Sequence, residues 1–202
     1  MTITYPLTLP LRPSPARFKI NQASFSAFTQ SPWSASQQVQ LNAGQIWSIE
    51  IDLPAMGDDD ARNWAGTLAA LNGRFGTFLF GDPRWKTPRG NWGDAPTING
   101  DGQTGQTLAV NNLPSEGIVR AGDYFQIGTG SSSRLYMLTQ DATAVGGAAT
   151  LDIWPRLRSA TVSGAAIITA RPQSVFRLSG PNVERNFEPF RYGFSLSMLE
   201  AL

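Results

Sequence analysis

Arg84, Trp85, Lys86, Arg89 and Trp92 form the densest grouping of cations and indoles in the chain. Cations hold phosphates or acidic groups while indole faces stack on bases or sugar rings, so this stretch is the first candidate for a ligand patch. Trp and Arg are also enriched at subunit interfaces, and tryptophans equally serve as packing at a domain junction. At the level of residues, ligand patch, interface and internal packing all stand.

Glycoside cleavage requires only two opposed carboxylates, and Glu50, Asp52, Asp82, Asp94 and Glu116 are available. Nothing in their spacing makes two of them converge, and a chain with 15 acidic residues offers such pairs by chance. Asp58, Asp59 and Asp60 are consecutive. Hard cations need oxygens arriving from several directions, and three successive residues at a helix start diverge. They are read as capping groups that satisfy free N–H donors and complement the helix dipole. Asn99-Gly100-Asp101-Gly102 lacks the spaced acids and terminal Glu of a calcium loop and reads as a turn. Gly-x-Gly matches at 99–105 and 128–130 open no helix, so no nucleotide site is expected. Arg156 and Arg158 read as a solvated pair.

The chain has no histidine and no cysteine. Ser–His–Asp and Cys–His nucleophile systems are therefore excluded within it, as are zinc sites built on imidazole or thiolate. No side chain with an ordinary pKa near neutrality is present to shuttle protons. The residues lead to no catalytic assignment, no metal site and no cofactor. Sixteen basic and 15 acidic residues balance to a formal charge of +1, without the basic excess of a nucleic-acid binder. Charged residues make up 15% of the chain against a usual ~25%. Extended protein–protein contact is one reason for so few charges; a β-rich surface of Ser, Thr, Gln and Asn is the other. No apolar run approaches the ~20 residues of a membrane span. The opening Met1-Thr-Ile-Thr-Tyr-Pro lacks a charged start and apolar core. The chain is thus expected to be made in a cytoplasm and, if found outside a cell, to be carried there by a particle.

The elements that must position these residues are mostly strands. Ala61, Trp64, Leu68 and Leu71 recur at helical spacing and form one apolar face, and Asn72-Gly73 tolerates the left-handed conformation that ends helices. Phe75 to Phe80 follows as a strand buried on both faces, closed by Gly81-Asp82-Pro83. Gln37 to Leu53 reads as a hairpin turning at Asn42-Ala43-Gly44, with Trp47, Ile49, Ile51 and Leu53 on one face and Ser48, Glu50 and Asp52 on the other. Pro6, Pro10, Pro13 and Pro15 make 1–15 an extended arm, lying along its own domain or across a neighbouring subunit. Tyr124–Ile127, Leu135–Thr139, Thr150–Ile153 and Ala166–Thr169 read as short strands of a small barrel or sandwich. Phe176–Leu178 and Tyr192–Met198 return to the texture of the first block.

The expected fold is mainly β with one α-helix. Residues 1–88 and 172–202 would build a β-sandwich or barrel unit, with the helix at about 58–72. Residues 89–171 would form a small β-barrel-like domain inserted into it.

Leu71 to Pro83 (LNGRFGTFLFGDP) and Pro88-Arg89-Gly90 precede three further stretches: Ile98–Leu108, Ala121–Gly128 and Arg134–Arg158. In this order and spacing they resemble distal-tail (Dit-like) or minor tail proteins of long-tailed, siphovirus-type bacteriophages. The resemblance implies a β-barrel or sandwich unit that assembles into a ring at the virion's tail tip. It further implies contacts with the tail tube protein above and the baseplate hub protein below. Sixfold symmetry suits the tube and is favoured; threefold suits the hub. No catalytic residue carries over. The alternative is a carbohydrate-binding β module touching a host glycan, which requires exposed rings in a shallow groove from Trp85, Trp92 or Tyr124.

Overall fold

The computed structural model describes residues 3–10, 12–181, 184–188 and 191–202; Met1 and Thr2 of the opening segment lie outside them. The chain runs through β1 (Leu7–Thr8), β2 (Arg17–Gln30), β3 (Gln37–Asp52), α1 (Asp58–Ala70) and β4 (Phe78–Phe80). It continues with β5 (Thr97–Ile98), β6 (Thr107–Asn111), β7 (Ile118–Val119), β8 (Tyr124–Ile127), β9 (Arg134–Leu138), β10 (Ala142–Thr143), β11 (Ala149–Trp154) and β12 (Ile167–Ile168). It closes with β13 (Ser174–Leu178), β14 (Glu184–Glu188) and β15 (Arg191–Glu200). The protein is mainly β with a single α-helix among the described residues.

One sheet takes its strands from both ends of the chain, in the order β1-β4-β13-β15-β3-β2, with β14 also paired to β15. Its central register sets Ile51 opposite Leu196 and Ile49 opposite Met198. Period-two alternation therefore gathers Trp47, Ile49, Ile51, Phe194, Leu196 and Met198 on one buried face. Ala61, Trp64, Leu68 and Leu71 of the α1 segment, all at most 5% exposed, join the same core. Ser48, Glu50 and Asp52 alternate onto the opposite face beside Arg17, Lys19, Ser195 and Ser197.

Strands β12-β8-β9-β11-β6-β5 form a second sheet. A bridge between Thr97 and Ala166 and a bond from the Ile98 N–H to the Ala165 carbonyl (2.9 Å) bring its two ends together, so it is nearly a closed barrel. Alternation here serves two cores at once. Phe125, Tyr136, Leu138 and Ile153 point into the barrel with Trp92, Leu108, Val110 and Leu151. Tyr124, Leu135 and Trp154 point the other way, into the core of the first sheet. That is why these strands read as apolar on both faces.

The seam between the sheets combines aromatic packing with directed hydrogen bonds. The Trp154 ring stands edge-on to Trp47 at 4.4 Å. The Trp47 indole donates to the Leu135 carbonyl (3.0 Å) and the Trp154 indole to Ser24 Oγ (3.1 Å). The backbone N–H groups of Arg156 and Gln173 donate to Gln45 Oε1 and Gln126 Oε1, both at 2.8 Å. Arg158 belongs to this seam and is not solvated: its side chain is 11% exposed and its Nη2 donates to the fully buried Glu200. A carboxylate 42 residues away supplies the partner, which local sequence does not reveal.

Three further expectations are corrected. Asn42-Ala43-Gly44 is not a hairpin turn; β3 runs straight through it, and the turn lies at 31–36, where β2 meets β3. The three residues sit at a register shift between Ser24 and Ser26. There Gly44 leaves room for the Phe25 ring, since a Cβ would stand 2.9 Å from its Cδ2. Phe75 is not in a strand: it is 75% exposed in the turn after α1, its ring edge-on to Tyr5, and β4 begins only at Phe78. The N-cap of α1 is Gly57 without a side-chain cap bond, so Asp58–Asp60 occupy the first turn and act through the helix dipole alone. At the other end Asn72 and Gly73 do adopt positive φ, 53° and 66°. The proline-rich arm lies along its own unit: Tyr5 donates to the Ala70 carbonyl, Trp64 to the Arg12 carbonyl, and Leu9 is buried.

Candidate functional site

The basic–aromatic stretch is organised from within by Asp123. This carboxylate is fully buried and accepts from the N–H groups of Arg89 (2.8 Å), Gly90 (2.8 Å) and Arg120 (3.3 Å), and from the Trp92 indole (3.1 Å). The Arg89 guanidinium adds an ion pair at 3.9 Å, bonds the Ala121 carbonyl, and lies 5.8 Å over the Trp85 ring. Trp85 is half-buried and edge-on to Tyr124 at 5.6 Å. Trp92 enters the barrel interior at 2% exposure. Arg84 and Lys86 stay exposed, their backbones held by Asp82 and Arg171.

The structure thus brings Trp85 and Arg89 together, removes Trp92 from the surface, and leaves Arg84 and Lys86 in solvent. Of the three rings from which a sugar platform would draw, Trp92 and Tyr124 are buried and Trp85 is partly covered by Arg89. Burial pushes the Tyr124 phenol up to about 12, with the Asp82 charge adding to it. Burial likewise raises the Asp82 carboxyl, against the lowering effect of the Arg84 and Trp85 N–H groups.

The carboxylates weighed for acid–base work fall into two groups. Glu50 and Asp52 share the open face of the first sheet, where they and their neighbours line a polar recess of about 310 Å³. Each is paired across the strand, Glu50 with Lys19 at 3.3 Å and Asp52 with Arg17 at 3.9 Å. All four side chains are solvated, which makes these ordinary cross-strand ion pairs. Asp94 and Glu116 are exposed in loops of the barrel unit. Asp101 accepts from the Ser163 N–H at 2.6 Å and closes the glycine-rich turn onto the loop before β12. Among the described residues no three potential ligands of the His, Cys, Asp or Glu type gather around a point. No described helix is long and apolar enough to cross a membrane.

The surface feature that stands out is the outer half of the β2–β3 hairpin. Every residue in Ser24–Gln30 and Gln37–Gly44 is exposed, so this half is a two-stranded ribbon with no layer over either face. Eight residues of β3 carry it about 26 Å beyond the buried part of the sheet, at roughly 3.3 Å per residue. Phe28 and Val39 are register partners and Leu41 lies two residues along, which places the three on one face, each more than half exposed. Phe25 is 55% exposed and Trp33, in the turn, 96%. The thirty residues from Ile20 to Ile49 contain no charge at all, whereas 15% of the whole chain is charged. Depletion of charge with exposed aromatics is the compositional mark of a protein interface. β2 is also the free edge of its sheet, and from Ile20 to Gln30 it carries none of the lysines that normally guard such an edge. The uncharged run was available to sequence reading as a signal. Alternation over Trp47–Leu53 marks only the buried half of the hairpin.

No protein-family model and no curated protein matches this chain.

Proposed function

We propose that the chain is a structural ring subunit of a phage tail tip, joining the tail tube to the baseplate hub. The observation that supports this reading is the bare, uncharged hairpin. An isolated two-stranded ribbon is marginal in water, and five large apolar side chains exposed along one ribbon and its turn call for a covering surface. A second copy of the chain is the partner a ring requires, and repeated modest contacts add through ring closure. In this reading function is geometry, and the two sheets with their rigid seam are the frame that holds each hairpin at a fixed angle. The order of the tail-protein-like stretches, Leu71–Pro83 through Arg134–Arg158, supplies the assignment to a tail tip.

Native mass spectrometry of the purified chain over a range of concentrations tests the reading. A discrete hexamer or trimer is expected. Replacing 26–40 by a two-residue Asn-Gly turn should leave a folded monomer. A wild-type chain that stays monomeric at every concentration, alone and with its tube and hub partners, overturns the proposal.

A further inference from the structure

A projecting aromatic needs a receiving surface, and the same chain carries one. Between α1 and the start of β15 lies a small, mostly apolar recess of about 150 Å³, lined by Asp58, Ala61, Arg62, Ala65, Tyr192 and Phe194. Ala61 and Ala65 are one helical turn apart, and their small side chains leave the space open above Phe194. A cavity of this size class accommodates a single aromatic ring such as benzene. Its rim is chemically suited to an indole. The Asp58 carboxylate can accept an indole N–H, and the Arg62 guanidinium can lie on an indole face. Both are exposed, and neither is engaged in an ion pair among the described residues.

Trp33 is the most exposed large apolar residue described, at 96%. It cannot reach this recess in its own chain. The hairpin turn and the recess lie at opposite ends of β3, whose 16 residues separate them by on the order of 50 Å. The Met56–Tyr192 bridge fixes the recess at the far end of that strand. Knob and hole on one molecule, on different surfaces and out of mutual reach, define a head-to-tail contact. Such a contact repeats until it closes a ring or runs on as a filament.

We infer that Trp33 of one copy seats in the α1–β15 recess of the next, making this pair the heterologous contact of the assembly. This rests on the ring-subunit reading above and names its contact. Docking places the uncharged ribbon along the neighbour's surface and covers Phe28, Val39 and Leu41.

The chain has no native cysteine, so engineered thiols report the contact without background. W33C and A65C are made singly in the full-length protein, mixed, and exposed to mild oxidation. A disulfide between one W33C chain and one A65C chain is expected, and a W33C/A65C double variant should give a covalent ladder up to the size of the native assembly. W33A should weaken self-association at least tenfold with unchanged thermal stability of the monomer. A65W, which fills the recess from its own helix, should do the same. If A65W fails to fold, W33A and the mixed disulfide still decide. Disulfides among W33C chains alone would mean that hairpin tips meet symmetrically, which overturns the inference. An intact wild-type assembly that W33A leaves unchanged and that yields no mixed disulfide overturns the inference while sparing the ring. A wild-type chain that never self-associates, alone or with its tube and hub partners, overturns both.

Discussion

Arg158 Nη2 donates to Glu200 Oε2 at 2.5 Å across the seam between the two sheets, and the Glu200 carboxylate is wholly shielded from water. Glu200 also accepts from the Trp47 N–H (3.3 Å) and the Ser174 hydroxyl (3.5 Å), so one buried anion gathers groups from β3, β13, β15 and the segment after β11. Removing the cation strands the anion. Arg158→Ala is expected to cost about 3–5 kcal/mol in urea unfolding. The Arg158→Met/Glu200→Leu pair should lose less than the sum of the single changes, because it removes both charges together.

Asp123 is expected to matter more to the 84–92 stretch than any residue within it. Asp123→Ala deprives four N–H groups of their acceptor and should cost about 3 kcal/mol or more, given the strength of bonds to a charged group. Asp123→Asn keeps one acceptor oxygen and should lose less. Thermal melts rank the two, and a red shift of tryptophan emission in Asp123→Ala would report water reaching Trp92.

Gly81 lies where the chain leaves the first sheet and passes the returning segment at Pro172. A Cβ there would stand 2.1 Å from the Pro172 carbonyl oxygen, a backbone atom that cannot swing aside. Gly81→Ala should therefore destabilise by about 1–3 kcal/mol through forced displacement. Gly44→Ala meets only the edge of the exposed Phe25 ring and should stay within ~0.5 kcal/mol, as surface changes do. Equal losses at both sites would contradict this account.

Alkaline stability should depend on Tyr124. Its phenol ionises at about 12 in the folded chain, against 10.0 for the ordinary group, because burial disfavours the phenolate and Asp82 repels it. Below the ordinary value both folded and unfolded states hold the proton, and the group contributes nothing to the pH dependence. Between the two values the unfolded chain loses the proton while the folded chain keeps it, so stability falls as pH rises through this window. Tyr124→Phe should flatten that part of the stability profile, and ultraviolet titration of wild type minus variant should show one phenol ionising late.

The local elements were legible because their causes are local. Four apolar residues at helical spacing specify α1, and Asn72-Gly73 ends it whatever lies around them. The alternation from Trp47 to Leu53 specifies one buried face. Tyr124–Ile127 and Leu135–Thr139 were legible as short strands, but not that their alternate residues enter two different cores. The absence of His and Cys ruled out whole families of chemistry from residue types alone.

Partnership over distance belonged to the tertiary structure. Asp123 reaches back 31 residues to Trp92 and ties the 84–92 stretch to the barrel from within. Glu200 receives Arg158 from 42 residues away and removes a seemingly solvated cation from the surface. Neither pairing leaves a periodicity, because each joins residues on separate elements. The same holds for exposure. Phe28 and Val39 carry the strand-forming character of the buried strands, and only the position of the barrel, which covers the hairpin up to Gln45 and no further, leaves them facing water.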